Sequence, residues 1–337
     1  SLREYFERRR NNTSAIISYE DALNSRDDHF KNHQIIRPAF TGSRVFDDIS
    51  LEEIAKYIDW SPFFWTWELK GTYPKILSNK KYGEEAKKLF ADAESFLERI
   101  IKEKRFSPKA AMGFWKASRR GDDVDLFNDA GEKIETLNFL RQQKAKTKEG
   151  SSYQSLSDFI APQERDLEDY IGAFVVTMGD EVEKFAKNFE KMNDDYSSIM
   201  VKAIGDRLAE AFAELIHKRA RDFWSISEDE STVIDDIISE KYQGIRPAPG
   251  YPACPDHTEK SKLWELLDAQ NKTNAYLTEN YAMVPASSVS GYLFSHPDAK
   301  YFNILSIGDD QVESYAKRKG IELEEAKKWL RTVHLNS

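Results

Sequence analysis

The sequence predicts an α+β domain built on a largely antiparallel β-sheet flanked by helices. Segments typical of strands and of helices are scattered along the 337 residues, without the regular β–α–β alternation of a parallel sheet. Three short strand-like segments follow one another with tight turns between them. Long stretches with apolar residues at helical spacing precede and follow these strands. These observations together favour a mixed class organised around an antiparallel sheet.

Taken in order, the charged segment 1–14 is predicted to be a linker or leading helix, and residues 15–337 the main domain. A start at Ser rather than Met is compatible with a fragment of a longer protein. Residues 27–32 are predicted to be a solvated loop, since no apolar strand precedes them. Helices are predicted from Leu51 to about Asp59 and over 84–104.

Strands are predicted over 112–117, 124–127 and 133–137, as an antiparallel meander, and over 171–178. A polar surface loop is expected over 144–152. Helices follow over 182–192 and 199–216. The predicted elements of the last third are a strand within 282–294, a turn at 296–299, a second strand over 301–305 that completes a hairpin, and helices over 311–319 and 324–330, with Gly320 as a C-cap.

The composition excludes several classes of protein. A hydrophobic fraction of 40% is typical of a globular fold, and a net charge of −9 argues against a nucleic-acid partner. The single cysteine, Cys254, cannot form an internal disulfide or a thiolate zinc site alone, which favours a reducing cytoplasm. The sequence shows no apolar run long enough to span a bilayer, so no membrane association is expected.

A proline-rich run over residues 244–260 is the most informative stretch. Its prolines at positions 247, 249, 252 and 255 force an extended backbone, so its carbonyl groups are expected to stay available for a ligand. Gly250 permits a positive φ, and Arg246 suits a carboxylate. A capping box of Asp256 and Glu259 is predicted to open the next helix. An ordinary surface loop with Arg246 in a salt bridge is the alternative.

The Arg246-x-x-x-Gly250-Tyr251 sequence resembles the signature of the activation domain of cobalamin-dependent methionine synthase. Tyr57-Ile58-Asp59-Trp60, the segment 206–210 and the segment 295–301 are similar to the same family, in the same order. The resemblance covers essentially the whole chain and implies a single C-shaped α+β domain. It also implies an S-adenosylmethionine site.

In that site the resemblance implies that Asp59 binds the ammonium group of the ligand and Arg246 its carboxylate. The residues implied to lie along the rest of the ligand are Pro247, Ala248, Gly250, Tyr251, Tyr301 and Phe302. Tyr301 and Phe302 are adjacent on a predicted strand, so one ring is expected to face the core and the other the adenine. The residues alone predict only that Asp59 has a cationic or N–H partner, because a carboxylate among aromatic side chains needs one.

The chemistry implied by the resemblance is reductive methylation of cob(II)alamin to methylcobalamin, in a methyltransferase of methionine synthesis. The cobalamin is carried by an adjacent domain, flavodoxin or a related flavoprotein supplies the electron, and zinc belongs to a domain absent here. Asp206 and Glu210 lie four residues apart and share one helix face. Those two and Glu240 are predicted to contact the cobalamin domain, although a solvated acidic face is the alternative for the pair.

No residue of this chain is expected to be a catalytic nucleophile or a metal ligand. Consequently the isolated chain is expected to be insufficient for methionine synthesis. A stand-alone module that binds S-adenosylmethionine or docks a partner, without a catalytic role, is the other hypothesis.

Overall fold

The protein is described from a computed structural model, over residues 16–31, 33–147, 150–227 and 234–335. The predicted leading segment 1–14 lies outside the described residues, as do residues 148 and 149 of the predicted surface loop. Within the described ranges, no helix is both long enough and apolar enough to cross a bilayer.

Six strands of the described chain form one sheet in which every pairing is antiparallel. The strands are β1 Gly42–Phe46, β2 Lys109–Arg120, β3 Asp123–Phe127, β4 Lys133–Asn138, β5 Asp169–Thr177 and β8 Ser288–Leu293; a separate small hairpin contains β6 Tyr276–Leu277 and β7 Met283–Val284. The long strand β2 pairs with β5 along one edge, while β1 and β3 share its other edge. The path runs β4-β3-β2-β5-β8, which confirms the predicted meander.

Helices flank the sheet, and the longest of them, Asp195–Phe223, packs against β5 and β8. The helices are α1 Tyr19–Asn24, α2 Leu51–Ala55, α3 Ser61–Thr66, α4 Gly83–Lys102, α5 Glu181–Glu190, α6 Asp195–Phe223, α7 Ile234–Ile238, α8 Glu259–Leu267, α9 Ala269–Thr273, α10 Asp309–Lys319 and α11 Leu323–Leu330. Short 3-10 turns lie at Lys75–Ser78, Leu156–Phe159 and Gln163–Arg165. Together with the antiparallel sheet, these helices confirm the predicted α+β class.

Both faces of the sheet are buried, because successive side chains of a strand point to opposite sides. Along β2, Met112 and Phe114 enter the core under α4 and α6, whereas Ala111 and Trp115 enter the core under α8 and α9. A third, smaller core joins α10 and α11. The continuous apolar character of β2 and β5 follows from this two-sided burial.

Three local predictions are wrong. The helix at Leu51 ends at Ala55 rather than near Asp59. The capping box at α8 is absent, because Asp256 accepts from Thr258 and the Glu259 carboxylate accepts from the Asn138 N–H at 3.1 Å. The predicted hairpin is absent too: β8 pairs with β5, and residues 301–305 form no strand.

Candidate functional site

The proline-rich run lies beside the end of β8, as an extended segment. Ile245 and Phe294 exchange both backbone hydrogen bonds, at 3.1 and 3.0 Å, and the Tyr292 N–H donates to the Pro247 carbonyl at 2.9 Å. The extended backbone is therefore confirmed. The expectation that the carbonyl groups stay available is wrong for Ile245 and Pro247, because β8 uses them. It is also wrong for other carbonyls of the run that accept a backbone N–H, among them those of Ala248, Tyr251, Pro252 and Cys254.

A tight turn follows, and only glycine fits at position 250. Gly250 has φ +92°, and its N–H donates to the Cys254 carbonyl at 2.7 Å. A Cβ atom at Gly250 would lie 2.3 Å from the His257 ring, far inside van der Waals contact. The sequence therefore needs glycine here for both its conformation and its close approach to His257.

The run, β8 and the segment after residue 300 enclose a cavity of about 770 Å³, which we call the ligand cavity. Its volume lies in the range of small-molecule sites. Among the residues that line it are Phe174, Glu210, Glu240, Arg246, Pro247, Ala248, Gly250, Tyr251, His257, Lys260, Met283, Ser288, Ser290, Tyr301 and Phe302. The structure thus brings together the run and both predicted aromatic residues.

A smaller cavity of about 350 Å³ adjoins the first, and we call it the acidic cavity. Glu210, Glu240 and Arg246 line both cavities, so the two meet at these side chains. The charged residues lining the acidic cavity are Asp59, Glu210, Glu214 and Glu240 against Arg207 and Arg246. This excess of carboxylates favours a cationic ligand group.

Asp59 reaches this position on the short connection between α2 and α3. It is exposed, and its Oδ1 accepts from the Ser61 N–H at 2.9 Å. The N–H partner predicted for this carboxylate is therefore present, and the remaining oxygen can accept from a ligand. Asp59 and Arg246 line one cavity although they lie 187 positions apart in the sequence.

Arg246 is held by a buried polar network behind the cavities. Its Nη2 lies 3.0 Å from Glu214, its Nη1 donates to the Tyr242 hydroxyl at 3.0 Å, and Glu240 is 3.6 Å away. Burial alone would lower the pKa of Arg246, but Glu214 and Tyr242 more than offset it and raise that pKa. Burial raises the pKa of Glu214, and Arg246 opposes that rise. The guanidinium therefore stays charged and is fixed in orientation.

Tyr301 and Phe302 divide between surface and core as predicted, although they do not lie on a strand. Tyr301 is 45% exposed, and its hydroxyl accepts from the Arg246 N–H at 3.0 Å. Phe302 is half-buried and packs against two of the three cores. Tyr301 is therefore the outward ring.

The turn before Tyr301 rests on a cluster of three histidines. His296 Nδ1 accepts from the Asp298 N–H at 3.1 Å, and its Nε2 lies 3.1 Å from the His29 carbonyl. The ring of His33 packs on His296 at 4.1 Å between centroids, and His29 Nδ1 lies 3.0 Å from Asp298. The prediction of a solvated loop is therefore wrong for His29, whose side chain is 10% exposed, and for Phe30, which is buried.

Acid is expected to destabilise this turn. Burial and the neighbouring His33 lower the pKa of His296 to about 4, and burial also lowers that of His33. The two hydrogen bonds made by the His296 ring nitrogens require the neutral ring. The stability that they contribute is therefore fully present above the unfolded pKa of about 6.5 and is lost as pH falls towards 4. We expect the free energy of unfolding, measured in urea, to fall by on the order of 2 kcal/mol between those pH values.

A His296→Gln variant provides the comparison for this acid effect. It lacks the titrating ring, so its free energy of unfolding should change less over the same interval, starting from a lower value. Equal pH dependence in the two proteins would contradict the assignment.

The chain matches the family described as the activation domain of vitamin B12-dependent methionine synthase, over residues 50–320. This chain belongs to that family. A crystal structure described as the MetH reactivation domain bound to AdoHcy is 43% identical in sequence to this chain, with a TM-score of 0.91. The match covers 96% of this chain and 99% of that one.

In this activation domain, the three residues predicted to contact another domain lie near the cavities but differ in position. Glu210 and Glu240 line both cavities. Asp206 lies one helical turn before Glu210, is exposed, and accepts from the Ser287 hydroxyl at 3.0 Å. Asp206 is therefore the residue of the three that is not part of either cavity wall.

Sequence reasoning missed four residues that shape this activation-domain site: Glu214, Tyr242, His257 and Lys260. Two of them carried a usable signal. Glu214 follows Glu210 at the same helical spacing that joins Asp206 to Glu210. Tyr242 precedes Arg246 by four residues. Neither signal predicts that the Glu214 and Tyr242 side chains meet at Arg246, because helix α6 and the run are distant in sequence.

Among the described residues, no cluster of three or more His, Cys, Asp or Glu side chains could hold a metal ion.

Proposed function

We propose that this activation domain binds S-adenosylmethionine across the two joined cavities and positions its methyl group for transfer to a cobalamin on an adjacent domain. The observation that supports the proposal most strongly is the placement of Arg246 between the ligand cavity and the acidic cavity. An amino acid moiety at Arg246 would leave the larger cavity for the nucleoside. The similar MetH domain was crystallised with AdoHcy, the demethylated form of this ligand.

The charges of the site match those of S-adenosylmethionine. The ligand carries an ammonium, a sulfonium and a carboxylate. Asp59 and the other carboxylates of the acidic cavity suit the two cations, and Arg246 suits the carboxylate. Glu210, which lines both cavities, can stabilise a cation at their junction.

Ligand binding would change which carboxylates contact the Arg246 guanidinium. Glu214 is buried and hydrogen-bonded by Tyr242, so its contact with Arg246 is expected to persist. Glu240 is half exposed and lies 3.6 Å from Arg246, so its contact is weaker and open to water. The ligand carboxylate would therefore replace Glu240 and retain Glu214 as the residue that orients the guanidinium.

The chain itself would position the methyl donor rather than attack it. Cys254 is buried, and burial raises the pKa of its thiol well above the ordinary value, so it is a poor nucleophile. The cobalamin supplies the methyl acceptor when its domain docks, and a flavoprotein supplies the electron. We infer that the isolated chain is insufficient for methyl transfer and that the whole enzyme acts in the cytoplasm.

Tyr301 and Phe302 should separate affinity from stability. Tyr301→Ala removes an outward ring of the ligand cavity and the acceptor for the Arg246 N–H, so affinity for S-adenosylmethionine should fall about tenfold. Phe302→Ala opens a partly buried contact between two cores and should cost roughly 2 kcal/mol of stability. Calorimetric titration and urea unfolding measure the two effects. The same loss of affinity and of stability in both variants would contradict this division.

Asp206 tests the proposed docking of the cobalamin domain. Asp206→Lys reverses a charge outside both cavities, so reductive methylation in the full-length protein should slow, while S-adenosylmethionine affinity of this chain stays unchanged. Asp206→Asn is the matched control, because its amide can still accept from Ser287. Normal methylation by the Asp206→Lys enzyme would remove this residue from the docking surface.

A further inference from the structure

A second large cavity, of about 750 Å³, lies behind the turn at Gly250. We call it the basic cavity. Gly250, Tyr251 and His257 belong to its wall and to that of the ligand cavity, so the two share a thin partition. The opposite wall comes from helix α11 and the residues after it.

The charge of the basic cavity is opposite to that of the chain. Lys328 and Arg331 line it, none of the described Asp or Glu residues does, and the chain has a net charge of −9. Lys328 Nζ lies 4.9 Å from the centroid of the Trp329 ring. Within the described part of the chain, neither cation makes an ion pair with a carboxylate, so both remain available to an anion.

A third donor comes from the shared partition. Lys260 Nζ lies 3.0 Å from His257 Nδ1 and donates to it, which leaves the proton of the neutral imidazole on Nε2. Lys260 also donates to the Tyr281 carbonyl at 3.1 Å, and the Tyr281 ring packs edge-on against Trp329 at 5.1 Å. His257 and Trp329 are therefore held on facing walls by one set of contacts.

We propose that the basic cavity binds a small phosphate-bearing ligand, with Lys328, Arg331 and the His257 Nε2–H as donors to the phosphate. Two permanent cations that face a neutral donor across one cavity suit a dianion better than a single carboxylate. Trp329 and the exposed Leu305 add apolar surface suited to an attached ring.

The test uses two probes, inorganic phosphate and uridine 5′-monophosphate. The uracil nucleotide avoids the adenosine recognition proposed for the ligand cavity. Each is titrated calorimetrically into the wild-type chain, into Lys328→Glu/Arg331→Glu and into Lys327→Glu. Lys327 is the matched control, because it lies on the same helix, pairs with Glu324 and does not line the cavity.

We expect saturable binding to the wild type and to the Lys327→Glu control, with at least tenfold weaker binding to the double variant. Tighter binding of the nucleotide than of phosphate identifies a nucleotide as the source of the anion, and equal binding identifies free phosphate. An S-adenosylmethionine titration of each protein separates loss of the basic cavity from loss of the fold. Absence of millimolar binding by both probes, or equal binding by the double variant, would overturn the proposal.

Discussion

Replacing Arg246 with alanine is expected to weaken S-adenosylmethionine binding roughly 30- to 150-fold, the equivalent of about 2–3 kcal/mol for charge-assisted hydrogen bonds. The structure adds a second expectation. Arg246 is the cation nearest Glu214, which is 5% exposed, so the alanine variant leaves a buried carboxylate without its ion pair. Stability should therefore fall by on the order of 3 kcal/mol as well.

A double variant separates these two effects. Arg246→Ala/Glu214→Gln removes the unpaired carboxylate along with the guanidinium, so stability should recover while affinity remains low. Calorimetry and urea unfolding on the single and double variants measure both quantities. Affinity that recovers with stability would show that Arg246 acts only through the fold and does not bind the ligand.

Gly250→Ala should abolish measurable binding or weaken it by well over tenfold. The positive φ of Gly250 disfavours any Cβ atom, and that atom would lie 2.3 Å from the His257 ring. The turn must therefore move, and the turn forms part of the ligand cavity wall. The measurement is a titration with S-adenosylmethionine at equal protein concentration and temperature.

Gly121→Ala is the matched control for this substitution. Gly121 also has a positive φ, +65°, but nothing lies within 4 Å of the added Cβ, and the residue is in the turn between β2 and β3. Its replacement should cost about 1 kcal/mol of stability and leave affinity unchanged. Equal affinity of Gly250→Ala and wild type would contradict the role assigned to the turn.

Elements with strong internal patterns could be predicted from the sequence. Helix α6 and strand β5 were expected from their apolar residues, and both are present, with α6 extending to Phe223. The extended backbone at Arg246 followed from proline geometry alone. In each case the determining interactions lie within the segment, so neighbouring residues contained the necessary information.

The predicted hairpin shows where this reasoning stops. Residues 301–305 have the aromatic and β-branched character of a strand, yet one edge of β8 bonds to β5 and the other is occupied by residues 245–247. The segment instead lies against the proline run, where the Ile304 N–H donates to the Pro252 carbonyl at 2.8 Å. Competition for a strand edge depends on residues that are distant in sequence. Local strand propensity carries no information about them.

The same limit applies to the site. Arg246 and Asp59 could be selected from the sequence, partly through the family resemblance, and the structure places both on the acidic cavity. The spacing after Glu210 could place Glu214 on the same helix face, but its role could not be predicted, because that role arises only when α6 packs behind the run and buries the carboxylate against Arg246. A buried partner of this kind is visible only in three dimensions.

Titration of the isolated chain with S-adenosylmethionine tests the central claim most directly. The claim predicts saturable binding of one ligand per chain, weakened in Arg246→Ala and in Asp59→Ala, the two residues placed at its amino acid end. It also predicts no methyl transfer from that complex until a cobalamin-bearing domain and an electron source are added. Absence of binding, or binding that both substitutions leave unchanged, would contradict the claim.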